Sequence, residues 1–321
     1  WGRRSDCMTA IVTVTPNPAI DHTIFIPNFA PGKVNRAEGE RFDAGGKGLN
    51  VASFLKDFGL DDVSASGFLG KENEELFEKY LEKRGIRNEF VSLDGKTRTN
   101  IKIVDKSKGE ITDINFPGFN CTARDCSDLK ERLTRLAKTH RWFILSGSLP
   151  PGAPDELFYE ITILLKSLRL HVAVDTSGEA LKKAAKARPD IVKPNLAEFS
   201  DLADISNPTE EAIVSGLKEL LKSGIRTAVL SMGEKGAIFA SEGRFIRTIP
   251  PEVKVLSTVG AGDAMVAGLV AGESIGCPFE ERARLATAFS AAALTKLGPG
   301  RTSRERVYPL MKDIKIEEVR T

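Results

Sequence analysis

From Asp125 onward the chain repeats one pattern, a short run rich in β-branched and aromatic residues followed by a stretch with apolar residues at helical spacing. RWFILSGS (141–148), LHVAVDTS (170–177), DIVKPN (190–195) and IRTAVLSMG (225–233) read as strands. Helical segments lie between them, including 155–168 and 208–223. Strands joined through helices pair in parallel and are covered by those helices. The first half fits the same body. TAIVTVTPNP (9–18) reads as a buried strand and turn, and DVSASGFLG (62–70) as another strand. Segments 47–59 and 72–85 read as helices, each closed by a glycine.

Two stretches break the rhythm. HTIFIPNF (22–29) and VNRAEGERFDAGG (34–46) look like short strands with exposed faces. EFVSL (89–93), TRTNIKIVD (97–105) and EITDINFPG (110–118) follow one another without helices and alternate like a one-sided sheet. GAIFASEGRFIRTIP (236–250) reads as a hairpin, and the alanine-rich segment from Ala261 to Lys296 as helical. The expected fold class is therefore α/β, a doubly wound, mainly parallel sheet flanked by helices in one domain over 8–321. A small β-sheet formed by about 22–44 and 88–117 would act as a lid over the C-terminal edge of the main sheet, where such folds bind ligands.

Composition narrows the partners. Of 321 residues, 46 are Lys or Arg and 44 Asp or Glu, a net charge of +2 that offers no support for nucleic-acid or membrane-surface binding. No apolar run reaches membrane-spanning length. Cys7, Cys121, Cys126 and Cys277 form no CxxC pair, so zinc is disfavoured and reduced thiols in a cytoplasmic protein are expected. The opening WGRRSDCM lacks the apolar core of a signal peptide, and Met8 is expected to be the native first residue, with 1–7 an appended or disordered segment.

Six polar or glycine-rich motifs follow predicted strands: TPNPAID (15–21), AGGKGLN (44–50), SGSLPPG (146–152), VKPNLAEF (192–199), SMGEKG (231–236) and VGAGDA (259–264). Each has a plain structural reading. Asp21 could cap a turn, AGGKG could be a tight turn, and Asn195 with Glu198 has the spacing of a helix capping box. Asp263 could be a helix N-cap. The loop at 260–262 also gathers backbone N–H groups at a helix start, which suits an anion. Six such motifs at strand ends make unrelated turns a poor explanation of the set. There is no G-x-G-x-x-G after the first strand and no G-x-x-x-x-G-K-[ST], which disfavours a Rossmann dehydrogenase and a P-loop NTPase.

GGKGLNVA (45–52) resembles the N-terminal signature of the ribokinase-like PfkB carbohydrate kinases, and STVGAGDAMVAGLVAG (257–272) resembles their C-terminal one. The other motifs stand in the expected order, so the resemblance spans nearly the whole chain. The set is most similar to the branch that phosphorylates sugar phosphates, and TDINFPGF (112–119) tilts it toward the 1-phosphofructokinases over the tagatose-6-phosphate kinases.

The resemblance implies an ATP-dependent kinase using Mg²⁺ on a ketohexose phosphate, with fructose 1-phosphate first. Asp263 would be the general base, kept charged by a normal or depressed pKa, and the N–H groups of Gly260, Ala261, Gly262 and Asp263 an anion hole. Asp21, Gly45, Gly46, Lys47 and Asn50 would bind the sugar, with Ser146 and Ser148 near the sugar or its phosphate. Arg98 would meet the substrate phosphate, with Lys33, Asn35 and Arg36 as weaker candidates. Lys193, Asn195, Ser231, Gly233, Glu234, Gly236 and Gly262 would face the nucleotide. Glu198 would act on Mg²⁺ through water. The segment from Pro250 to Val255 and the helix near Ala288 to Ala292 would flank the adenine, and a homodimer would join through the lid. Ala264 stands where a serine is common in the family, and Asn35 where some of its sugar-phosphate kinases carry Arg. A non-catalytic sugar-phosphate sensor on the same fold is the rival of another class.

Overall fold

β1 (Ile11–Thr15) is buried at every residue and has a paired strand on each side. The computed structural model describes residues 10–296 and 300–319; Cys7 and Met8 lie outside them. β1 pairs in parallel with β4 (Val63–Gly70) on one side and with β8 (Trp142–Ser146) on the other. The full ten-stranded order is β14-β13-β12-β11-β10-β9-β8-β1-β4-β5. Its remaining members are β5 (Arg87–Leu93), β9 (His171–Asp175), β10 (Ile191–Val192), β11 (Thr227–Ser231), β12 (Ala237–Ser241), β13 (Arg244–Ile249) and β14 (Lys315–Glu318). The chain first builds outward from β1 through β4 to β5, then crosses back and builds through β8 to β11. The order therefore reverses at β1, and the crevice at the carboxyl ends of β1 and β8 is the expected ligand position.

Alternation along each buried strand feeds two cores. Ile11 of β1 and Ile144 of β8 join a cluster with α1 (Lys47–Asp57), α2 (Glu75–Arg84), α8 (Ala261–Ser274), α9 (Phe279–Leu294) and α10 (Arg304–Asp313). Val12, Val14, Phe143 and Leu145 join the opposite cluster. That face is covered by α3 (Ala123–Leu136), α4 (Leu157–Ser167), α5 (Gly178–Lys186), α6 (Leu196–Ala203) and α7 (Glu210–Lys222). A strand covered on both faces is apolar at consecutive positions, which is why these runs stand out in the sequence.

The separate small sheet has the order β3-β2-β6-β7. It consists of β2 (Ala19–Phe25), β3 (Gly39–Gly45), β6 (Thr99–Asp105) and β7 (Glu110–Ile114). Several boundaries differ from expectation. The run at 89–93 pairs with β4 as an edge of the main sheet, so the second stretch of the small sheet starts at Thr99 rather than near 88. A single strand such as β5 does not show in its sequence which sheet it will join. The expected strand at 34–46 is confined to Gly39–Gly45. The alanine-rich end is two helices, because the chain turns after Ser274 and Pro278 restarts it as the N-cap of α9. The hairpin at 236–250 is present, and β12, β13 and β14 make the far edge antiparallel. α10 and β14 had no counterpart in the sequence reading.

Candidate active site

Asp263 is the third residue of α8, not its cap. The N-cap is Gly260, at φ 83°, and makes no side-chain hydrogen bond. The carboxylate is 6 % exposed and accepts a hydrogen bond from Asn50 Nδ2 at 2.8 Å. Asn50 lies in the first turn of α1, so the N-termini of two helices meet here, each a source of positive potential. Burial pushes the Asp263 pKa up to about 6, helped by the charge of Asp175. The Asn50 hydrogen bond and the ammonium groups of Lys47 and Lys193 oppose this rise without cancelling it. The expectation of a normal or depressed pKa is thus corrected, because desolvation outweighs three favourable partners.

Lys47 is the first residue of α1, where the helix dipole disfavours a cation. It is held there by acids: its Nζ lies 3.6 Å from Asp175. Lys193, 4 % exposed, places its Nζ 3.1 Å from the other Asp175 oxygen. Asp175 ends β9 and is itself 1 % exposed. Burial alone would raise its pKa, but Lys193 and Lys47 together hold it below the usual carboxylate range. Burial lowers the Lys47 pKa, but Asp175, Asp263 and Glu198 together outweigh it, leaving it net raised and the side chain charged. A methyl group on Gly262 would sit 3.4 Å from Lys193 Nζ, so this ammonium stands directly against the α8 N-terminus. Two lysines and two helix N-termini around one acid pair leave room for further negative charge.

On the small-sheet side, Asp21 faces Gly45, where a Cβ would lie 2.5 Å from its Oδ2. Burial raises the Asp21 pKa against the pull of Lys102 and Arg98, with Asp43 and Asp113 adding to the rise. Ser146 ends β8 fully buried, and its hydroxyl has no hydrogen-bond partner among the described residues. Ser148 Oγ accepts from Asn17 Nδ2 at 3.2 Å, which ties the loop after β8 to the loop after β1. Gly46 caps α1. Arg98 donates to the carbonyls of Pro18 (3.3 Å), Phe116 (2.7 Å) and Asn17 (2.9 Å), three of its five N–H groups. Asn35 is spent on its own turn, bonded to Ala30 and Lys33. Lys33 and Arg36 are exposed.

On the other side, Asn195 and Glu198 form the reciprocal capping box of α6, at 2.9 and 2.8 Å. The plain structural reading of that pair is therefore present. It occupies Oε2 of Glu198, and the charge of Glu198 still reaches Lys47. Ser231 ends β11 and bridges to Asn195. Gly233 and Glu234 open an exposed turn. Gly236 is required by packing, since a Cβ there would lie 1.8 Å from the Thr248 carbonyl. Val255 and Leu256 are exposed apolar residues. The stretch of α9 near Ala288 to Ala292 is corrected: Ala288, Phe289, Ala291 and Ala292 are buried in the core and present no surface to a ligand.

The family model for pfkB family carbohydrate kinases matches residues 14–306. The chain belongs to this family. It is 42 % identical over 308 residues to the 1-phosphofructokinase of Rhodobacter capsulatus, covering 96 % of this chain and 97 % of that protein. Phosphofructokinase-2 from Escherichia coli, solved in complex with fructose-6-phosphate, superposes with a TM-score of 0.86 at 27 % identity, covering 94 % of this chain and 99 % of that one. Its tetrameric inhibited form gives 0.87 at 27 % identity, covering 95 % and 100 %. The PfkB chain is thus an ATP-dependent sugar kinase, and its two signature motifs are those that bring Asn50 and Asp263 together.

Three residues of the site were absent from the sequence reading. Asn17 lay inside a motif already singled out. Asp175 ends a predicted strand, the same positional signal that selected Ser146. Arg301, whose guanidinium bonds to Val259, gave no signal, because the chain returns to the site only after α9. Among the described residues no three His, Cys, Asp or Glu side chains cluster to hold a metal. Glu198 alone suits a cation that keeps most of its waters.

Proposed function

We propose that this chain transfers the γ-phosphoryl group of ATP to the 6-hydroxyl of fructose 1-phosphate, giving fructose 1,6-bisphosphate. The observation that carries the reading is the buried Asp263 carboxylate, fixed by Asn50 beside the α8 N-terminus and Lys193. The choice of sugar phosphate rests on the 1-phosphofructokinase relatives.

Asp263 takes the proton of the attacking hydroxyl. The N–H groups of Gly260 to Asp263 and the ammonium of Lys193 hold the transferring phosphoryl group, which needs positioning and charge neutralisation more than covalent chemistry. Lys47 adds a second cation. The two lysines stay aimed because Asp175 anchors both. Asp21, Gly45, Gly46 and Asn50 orient the sugar hydroxyls, with Ser146 and Ser148 close by, and Arg98 offers its remaining N–H groups to the substrate phosphate. Lys193, Asn195, Ser231, Gly233, Glu234, Gly236 and Gly262 line the nucleotide, with Val255 and Leu256 as an apolar wall for the base. Mg²⁺ neutralises phosphate charge when bound, and Glu198 would hold it through water.

The small sheet serves as the lid. One of its faces carries Phe42 and Ile114, 48 % and 43 % exposed. A second copy of this chain is the occupant we propose for that face, with tetrameric phosphofructokinase-2 as the precedent for assembly in a structural relative.

An ADP-release assay across fructose 1-phosphate, fructose 6-phosphate and tagatose 6-phosphate tests the reading. The highest kcat/KM is expected on fructose 1-phosphate. A preference for tagatose 6-phosphate overturns the substrate, and binding without turnover on all three favours the sensor.

A further inference from the structure

Arg301 reaches the site from the segment that leads into α10. Its Nη2 donates to the Val259 carbonyl at 2.8 Å, and its Nε to the Ala293 carbonyl near the end of α9 at 3.1 Å. The guanidinium lies 5.1 Å from the centre of the Phe54 ring on α1. The Arg301 backbone N–H donates to Asp57 Oδ2 at 2.9 Å, and Asp57 is paired with Arg84 at 2.8 Å. One residue thus ties α1, α9 and the peptide just before the α8 cap.

Val259 C=O and Gly260 N–H belong to one peptide unit, and in a trans peptide they point in opposite directions. Fixing the carbonyl on Arg301 therefore aims the Gly260 N–H away from Arg301. A Cβ on Gly260 would lie 3.6 Å from Nη1, in van der Waals contact, so the guanidinium packs against the α8 cap. We infer that Arg301 is a positioning residue for phosphoryl transfer, holding the 259–263 loop in register with Asp263 and placing a permanent cation beside it. The inference rests on the role given above to Asp263. Burial lowers the Arg301 pKa, and Asp263 and Asp57 raise it, which sets the guanidinium within the field of the base. The other groups facing Asp263 are Asn50 and Lys47 on α1, Lys193 after β10 and Asp175 at the end of β9.

Arg304 provides a matched control. Its Nε donates to the Phe58 carbonyl at 2.9 Å and its guanidinium sits 5.2 Å from the Phe58 ring, the same construction one turn along α1 and one step away from the loop. Arg301→Met is expected to lower kcat by about tenfold to a hundredfold, as small misplacements of reacting groups do. KM for fructose 1-phosphate should stay within about threefold, since the lost interaction belongs to the transition state. The acid limb of the kcat–pH profile should move to higher pH, because Asp263 loses a neighbouring cation. Arg304→Met should lose a similar amount of thermal stability with kcat near wild type. Arg301→Lys, which keeps the charge but not the two-carbonyl fork, should leave the acid limb in place with a partial loss of kcat.

Equal kcat losses in Arg301→Met and Arg304→Met, or an unmoved acid limb in Arg301→Met, would overturn the inference. Where Arg301→Met does not fold, Arg301→Gln takes its place, and normal kcat with a normal acid limb in that variant overturns it equally. Asp263→Ala separates the two layers. If it retains turnover, the assignment of the base fails. If it is inactive while the Arg301 variants behave as wild type, only the role of Arg301 fails.

Discussion

Replacing Asp263 by Asn should make the protein more stable while abolishing most of its activity. Asn keeps the shape and can still accept the Asn50 Nδ2 hydrogen bond seen at 2.8 Å. What it removes is a buried charge. The Asp263 pKa stands at about 6 against a reference of 3.8, so ionising this carboxyl in place disfavours the fold by about 3 kcal/mol. The effective dielectric of a protein interior is well above that of dry protein, and a gain of about 1–3 kcal/mol is expected at pH 8. Thermal midpoints should rise by roughly 2 °C for each kcal/mol in a chain of this size. The sign fixes the pH window. A carboxyl whose native pKa is raised contributes fully to stability below its unfolded pKa and loses that contribution as pH rises through the native one. The advantage of the Asn variant should therefore vanish near about pH 4, open between about pH 4 and 6, and stay level above. Denaturant melts of both proteins at pH 4.5 and 8 read the gap, and a coupled ADP assay reads kcat, expected to fall at least about a hundredfold. An Asn variant less stable than wild type at pH 8, or a gap independent of pH, would refute the reasoning that desolvation governs this site.

Wild-type kcat/KM should fall on the acid side with a midpoint near the free-protein Asp263 pKa of about 6, and Asn50→Ala should move that midpoint upward by removing the hydrogen bond that lowers it; stopped assays from pH 5 to 8 check both. Lys193→Met leaves the buried Asp175 with Lys47 alone, 3.6 Å away, so urea melts should show a destabilisation below the roughly 3–5 kcal/mol that follows when a buried charge loses every partner. Gly45→Ala forces a methyl into the Asp21 carboxylate, and steady-state kinetics should show a raised KM for the sugar phosphate with ATP affinity little changed. Phe42→Asp together with Ile114→Asp should shift the molecular mass seen by light scattering toward the monomer; an unchanged mass would remove the small sheet as the contact between copies.

The sequence by itself determined the layered α/β body, because strands buried on both faces are apolar at successive positions and the helices between them carry one apolar stripe. It also carried the resemblance to the family, in the glycine-rich motifs at 45–52 and 257–272. Asp263 was legible as important, and its alternatives as a cap or a base were both open. Only the tertiary structure removed the cap reading, since the cap position fell to Gly260 and the carboxylate turned to Asn50, a residue from the other end of the chain. The pKa of Asp263 was equally out of reach. It depends on how completely α1, α8 and β9 exclude water, and no local pattern records that. The same reason hid Asp175 and Arg301. Each acts through partners brought close by strand order and helix packing: Lys47 and Lys193 for one, Val259, Ala293 and Phe54 for the other. Sequence spacing tells which residues share a strand end or a helix turn. Which charges meet in the dry space between elements is decided when those elements pack.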